Sequence, residues 1–206
     1  MSSRPAAGGG RWVDVAPERL SRWLAGFEER HGAVTTTRSE TQVVLTAADG
    51  AEAHVEVPFP PLHGDLVQHA QRPRTVGVLL VRRGGHAAGV FEGDRLVASK
   101  VGSRHVQGRT AAGGWSQQRF ARRREGQTAV ARGAAADTAA AVLLGRGLDA
   151  VVTGGDRASV EEVLADRRLA PLRPLVTGRL LDVPDPRLKV LQELRFRDVR
   201  IRVVDP

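Results

Sequence analysis

Residues 113–124 read Gly-Gly-Trp-Ser-Gln-Gln-Arg-Phe-Ala-Arg-Arg-Arg, and their types and order suit one kind of chemistry. A glutamine amide does not titrate usefully, so Gln117 and Gln118 are not general bases. An amide accepts and donates hydrogen bonds together, however, and can therefore fix a water molecule. Water held against an ester carbonyl gains rate through proximity and alignment, and a nearby backbone N–H stabilises the oxyanion that develops. Gly113 and Gly114 give the main chain freedom to approach a substrate closely. Arg119, Arg122, Arg123 and Arg124 add dense positive charge within six positions. Trp115, beside glycine and arginine, offers a face on which a base can stack, Ser116 adds a hydroxyl, and Phe120 reads as an anchor toward the core. Spacing alone supports a water-positioning loop and a merely RNA-binding loop equally.

Other chemistries find less in the chain. There is no cysteine, and none of the six histidines (His31, His54, His63, His69, His86, His105) forms an HExxH pair or comparable metal spacing. Glu92, Asp94, Asp137 and Asp156 are the carboxylates a two-metal nuclease would need, yet none falls in the middle of an expected central strand. Ser116 has no nearby histidine and no GxSxG elbow. No GxxxxGK[ST] loop occurs, and Gly145-Arg146-Gly147 follows a helix instead of opening one. Gly154-Gly155 lies between a strand and a helix, where amides can hold an anion, and reads more simply as a tight turn. The expectation is no metal and no cofactor.

The charge is concentrated where those residues sit. The 206-residue chain carries a net +8. Between Lys100 and Gly133 there are eight basic residues (Lys100, Arg104, Arg109, Arg119, Arg122, Arg123, Arg124, Arg132) against Glu125 alone, which leaves 23 basic against 22 acidic elsewhere. Charge so localised is expected of a nucleic-acid contact. No run of about 18 apolar residues is present, so no membrane association is expected. Absent cysteine and the lack of a signal peptide favour a cytoplasmic protein.

The elements that must position this segment follow from periodicity. Met1 to Gly10 reads as a disordered tail. Pro17 to Arg30 is a helix with Leu20, Trp23, Leu24 and Phe27 on one face and Gly32 as its stop. Val34 to Thr46 and Ala51 to Val57 are two strands joined at Asp49-Gly50, so residues 11–73 form a small α-β-β unit with a connection from 58. Thr75 to Val81, Ala87 to Glu92 and Arg95 to Lys100 are strands, the last two turning at Gly93-Asp94, and Arg104 to Arg109 extends the sheet. Ser116 to Arg124 begins a helix that Gly126 and Gly133 interrupt; Ala134 to Leu144 is a second helix. Then come a strand at Asp149 to Thr153, a helix at Asp156 to Asp166 capped by Asp156 or by a Ser159–Glu162 capping box, a strand at Leu175 to Leu181, a helix at Pro186 to Arg195 and a strand at Val199 to Val204. The fold class is α/β (α+β): a mixed β-sheet flanked by helices over residues 74–206. That order resembles ribonuclease-H-like and release-factor middle-domain topologies, with the glycine–glutamine loop at 108–127.

The runs Val97-Ala98-Ser99-Lys100-Val101-Gly102-Ser103-Arg104 and Val106-Gln107-Gly108-Arg109-Thr110-Ala111-Ala112-Gly113-Gly114-Trp115-Ser116-Gln117-Gln118-Arg119-Phe120-Ala121-Arg122-Arg123-Arg124 resemble the actinobacterial branch of the Vms-like release factors. These are peptidyl-tRNA hydrolases related to the catalytic middle domain of the eukaryotic class I peptide release factor. The family's core motif is a glycine, two variable residues and a glutamine, which Gly114-Trp115-Ser116-Gln117 fits without gaps. The resemblance implies that Gln117 positions the attacking water and Gly114 is the permissive glycine, with Gly113, Trp115, Ser116 and Gln118 supporting the loop. It implies RNA contacts by Lys100, Arg104, Arg109, Arg119, Arg122, Arg123 and Arg124. The implied partners are the large ribosomal subunit, ribosomal RNA and the CCA end of peptidyl-tRNA, with no DNA. The implied reaction is hydrolysis of the peptidyl ester during ribosome rescue or quality control. A contiguous Gly-Gly-Gln is absent and no codon-reading domain is visible, so stop-codon termination is not implied. Gln118 is the rival for the catalytic position, and Gly126-Gln127 lies further off.

Overall fold

The computed structural model describes the backbone of residues 3–83, 85–103 and 116–206, and the side chains of 4–83, 85–103 and 127–206. The chain divides into two compact units, Met1–Arg72 with Arg195–Pro206, and Pro73–Leu194.

The first unit is an antiparallel sheet. Its strands are β1 (Ser3–Pro5), β2 (Arg11–Val15), β3 (Val34–Arg38), β4 (Gln42–Ala47), β5 (Glu52–Glu56) and the last strand of the chain, β11 (Val199–Val204), in the order β1-β2-β11-β5-β4-β3. Side chains alternate between faces along a strand, and Val13, Val15, Val43, Leu45, Ala53, Val55, Val199, Ile201 and Val203 all fall on the buried side. Helix α1 (Leu20–His31) covers them with Leu20 and Phe27, and Trp23 and Leu24 pack at the margin. Gly32 ends α1 at φ +83°, a conformation glycine adopts without penalty. Helix α2 (Leu66–Gln71) adds Leu66 and Ala70. Asp65 starts it by accepting the Val67 and Gln68 N–H groups at 2.9 and 3.1 Å.

Three features of this unit depart from the sequence expectation. The single strand expected over Val34 to Thr46 is two, because Ser39 turns the chain: its Oγ accepts the Gln42 N–H at 3.0 Å. The expected disordered tail contains β1, which pairs antiparallel with β2. The closing strand β11 belongs here, between β2 and β5, and not with the preceding elements of the chain. Its composition explains the placement. Val199, Ile201 and Val203 alternate with Arg200 and Arg202, the pattern of an antiparallel strand with one wet face.

The second unit is the mixed sheet. Strands β6 (Thr75–Arg82), β7 (Gly85–Glu92) and β8 (Arg95–Ser103) form an antiparallel meander, and β9 (Ala150–Gly155) and β10 (Val176–Leu181) continue it in parallel, in the order β10-β9-β6-β7-β8. The apolar run Val76 to Val81 of β6 is buried throughout, as expected for a strand covered on both faces. Helices α3 (Ser116–Leu143) and α4 (Arg157–Leu164), followed by a 3-10 helix at Arg167–Leu175, cover the face carrying Leu79, Val81, Ala88, Val90 and Val151. Helix α5 (Leu188–Gln192) lies on the other face, with Leu191 set against Gly89. This is the helix-flanked mixed sheet expected from the sequence.

Two further expectations change here. Helix α3 runs unbroken through Gly126 and Gly133; single glycines cost about 1 kcal/mol each against alanine, too little to split a helix whose later turns are packed. At α4 the cap is Asp156, whose Oδ1 accepts from the Ser159 N–H at 2.8 Å and the Ser159 hydroxyl at 2.7 Å. Glu162 does not close a capping box; it faces Arg132 of α3 at 3.5 Å.

Candidate functional site

The register of the second sheet sets where the glycine–glutamine segment departs. Arg82 pairs with Gly85, Gly85 with Ser103, and Val81 with Gly155. The ends of β6, β8 and β9 and the start of β7 therefore share one rim. Residues 104–115 leave from that rim at Ser103, and the chain re-enters the described structure at Ser116, the first residue of α3.

Of the residues expected to do chemistry, Gly113, Gly114, Trp115, Arg104 and Arg109 lie outside the described residues, as does the strand expected at 104–109. Ser116, Gln117, Gln118, Arg119, Arg122, Arg123 and Arg124 lie on the α3 backbone. Gln117 thus lies one residue into α3, as the helix expected to begin at Ser116 places it. The first four N–H groups of a helix have no partner within it, and its N-terminus carries partial positive charge. Positions 119, 122 and 123 are spaced so that a helix places them on one side. Lys100 is exposed on β8, opposite Ala88 and on the α3 side of the sheet.

The described side chains that fix α3 to the sheet lie in its far half. The helix has 28 residues, about 42 Å of length at 1.5 Å per residue. Among its described side chains Ala135, Ala136, Thr138, Ala139, Val142 and Leu143 are buried. Gln127 to Ala134 are exposed or half-buried, and Val130 is 52% exposed. Three small alanines bring the C-terminal turns close to the sheet, and Ser116 stands roughly 28 Å along the helix axis from the first of them. Arg168 reaches Asp137 of α3 at 2.7 Å and Asp166 at 2.8 Å. Both pairs are solvent-exposed and therefore contribute little each. Beneath the helix, His86 Nε2 and Thr138 Oγ1 meet at 3.1 Å in a buried contact. The sequence reading found no metal spacing at His86 and did not connect it with Thr138.

The carboxylates weighed for metal chemistry are dispersed and separately engaged. Glu92 pairs with Arg95 at 2.6 Å at the β7–β8 turn, which also holds Asp94. Asp137 meets Arg168 on the outside of α3. Asp156 caps α4 at the rim where β6 and β9 end, away from the β7–β8 turn, and the Ser159 hydroxyl and N–H hold its carboxyl below the usual range. Among the described residues no three histidine, aspartate or glutamate side chains form a metal-holding group. Among the same residues no helix is long and apolar enough to cross a membrane.

Comparison with known proteins gives these observations a family. No curated protein matches the sequence. An archaeal translation termination factor, aRF1, is similar in structure at 14% identity and a TM-score of 0.46, over 90% of this chain and 65% of its own. Pelota of Archaeoglobus fulgidus is similar at 11% identity and a TM-score of 0.30, over 94% of this chain and 63% of its own. The chain thus spans a little under two thirds of the length of each. The family model described as Actinobacteria/chloroflexi VLRF1 release factor matches residues 74–204. That match takes in well over half of the sequence, including the glycine–glutamine segment and its arginines, and the chain belongs to the Actinobacteria/chloroflexi VLRF1 release-factor family.

Proposed function

We propose that this protein is a peptidyl-tRNA hydrolase that frees nascent chains on stalled ribosomes or large subunits. The observation that carries the reading is the run Gly114-Trp115-Ser116-Gln117 at the entry to α3, followed within seven positions by four arginines and lying inside the family match. In this reading Gln117 holds water against the carbonyl carbon of the ester that joins the peptide to the terminal ribose of tRNA. Water adds to the carbonyl, the tetrahedral oxyanion is stabilised by main-chain N–H groups at the helix entry, and the ribose oxygen leaves with a proton. Gly113 and Gly114 admit the main chain to the ester, with Trp115, Ser116 and Gln118 shaping its approach. Lys100, Arg104, Arg109, Arg119, Arg122, Arg123 and Arg124 bind ribosomal RNA and the CCA end through phosphates.

The absence of a contiguous Gly-Gly-Gln at Gln117 supports rescue or quality control over termination at stop codons. No metal ion takes part in this mechanism. The test is a single-turnover release assay on stalled peptidyl-tRNA complexes at constant magnesium, reading both free peptide and the integrity of the tRNA. Free peptide with intact deacylated tRNA is the expected result. Binding to the complex without release would make the chain a non-catalytic ribosome- or RNA-binding factor. Cut tRNA would point to nuclease chemistry.

A further inference from the structure

Among the described side chains of α3, Ala135, Ala136, Ala139, Val142 and Leu143 make its apolar contact with the sheet. Ala135, Ala136 and Ala139 are each 1% exposed or less, and contacts between apolar surfaces are non-directional. The small side chains let the backbone come close, and a polar contact adds a fixed direction to this apolar packing. His86 and Thr138 supply the direction. They are 6% and 4% exposed, and Nε2 and Oγ1 lie 3.1 Å apart. A shift of α3 by a single residue, about 1.5 Å along the axis and 100° around it, would break that bond.

The same imidazole touches the other root of the segment. His86 lies opposite Gly102 in the β7–β8 register. A Cβ at position 102 would stand 2.4 Å from His86 Nε2 and 2.6 Å from Cε1, so the ring fills the space a side chain there would need. Gly102 is the next-to-last residue of β8, immediately before the chain departs for residues 104–115. One ring is therefore packed against the strand that feeds the glycine–glutamine segment and bonded to the helix that receives it.

We propose that the His86–Thr138 bond, seated on Gly102, is the fastening that sets the axial position of α3 and hence of Gln117, which makes His86 and Thr138 positioning residues for release. The inference rests on the hydrolase reading above. Neither residue touches the substrate; each acts through the placement of Gln117.

The test compares full-length Thr138→Val, Thr138→Ser and Gly102→Ala with the parent chain. Thr138→Val should lower the saturated single-turnover release rate about tenfold or more while the dissociation constant for the stalled complex stays within about twofold. Thr138→Ser, which keeps the hydroxyl, should recover release to within about threefold of the parent. Gly102→Ala should reproduce the loss by displacing the ring. Backbone hydrogen exchange of residues 127–134 should quicken in Thr138→Val while β6 and β9 exchange as before. Parent-like release and parent-like exchange in Thr138→Val and Gly102→Ala would overturn the proposal. So would equal losses in Thr138→Val and Thr138→Ser that track the amount of folded protein. A parent chain that releases no peptide would defeat the hydrolase reading instead, and the exchange comparison would then judge the fastening by itself.

Discussion

At Asp166 the side-chain hydrogen bond from Arg168 holds the carboxyl at about 2, below its ordinary value of 3.8. A carboxylate depressed in the folded state stabilises the fold above its unfolded value and loses that contribution as pH falls through the folded one. An NMR titration of Asp166 should therefore show a midpoint near 2, and Arg168→Ala should return it toward 3.8; an ordinary midpoint in the parent would contradict the contact. Asp156 is a second residue with a separable role. Asp156→Ala removes the cap of α4 and should cost about 1 kcal/mol in urea unfolding, whereas Asp156→Ser should cost less. Single residues differ in how far the sequence discloses them. The run Gly114-Trp115-Ser116-Gln117 stands out in the sequence because it is contiguous and the positive charge lies beside it. The His86–Thr138 contact does not, since the two are 52 positions apart and meet only because β7 and α3 are packed face to face.

Helix α3 is the element that carries the proposed site, and its continuity is what sequence reading missed. Glycine at 126 and 133 argued for a break, but burial of the alanine face outweighs two glycines. A Cβ at Gly133 would meet nothing within 4 Å, and its φ is not in the positive range. Gly133→Ala should consequently stabilise the chain by roughly 0.4–1 kcal/mol, measured by chemical denaturation. A loss of stability would mean that the helix is not continuous there. Elements with a strong period were legible: α1, the β6 run and the β7–β8 hairpin with Gly93 at φ +62°. Short ones such as α2 and β1 carry too few residues to show a period, and α2 is specified mostly by its Asp65 cap.

Across the whole molecule the chain order hides one pairing that no local pattern reveals. Strand β11 returns from the second unit to sit between β2 and β5, because its alternating valine, isoleucine and arginine suit a sheet with one wet face. Charge, by contrast, was legible in full from the sequence, since eight of the 31 basic residues fall between Lys100 and Gly133 against one acid. Binding to large subunits should weaken steeply with salt. Replacing Lys100 or Arg122 by alanine should flatten the log–log salt slope by about one unit each, and an unchanged slope would remove that residue from the RNA contact. The hydrolase account itself turns on Gln117. In a single-turnover assay on stalled peptidyl-tRNA complexes, Gln117→Ala should slow release by about 10²–10³-fold, the scale of losing one transition-state contact, with ribosome binding intact. Release by Gln117→Ala at the parent rate would contradict it.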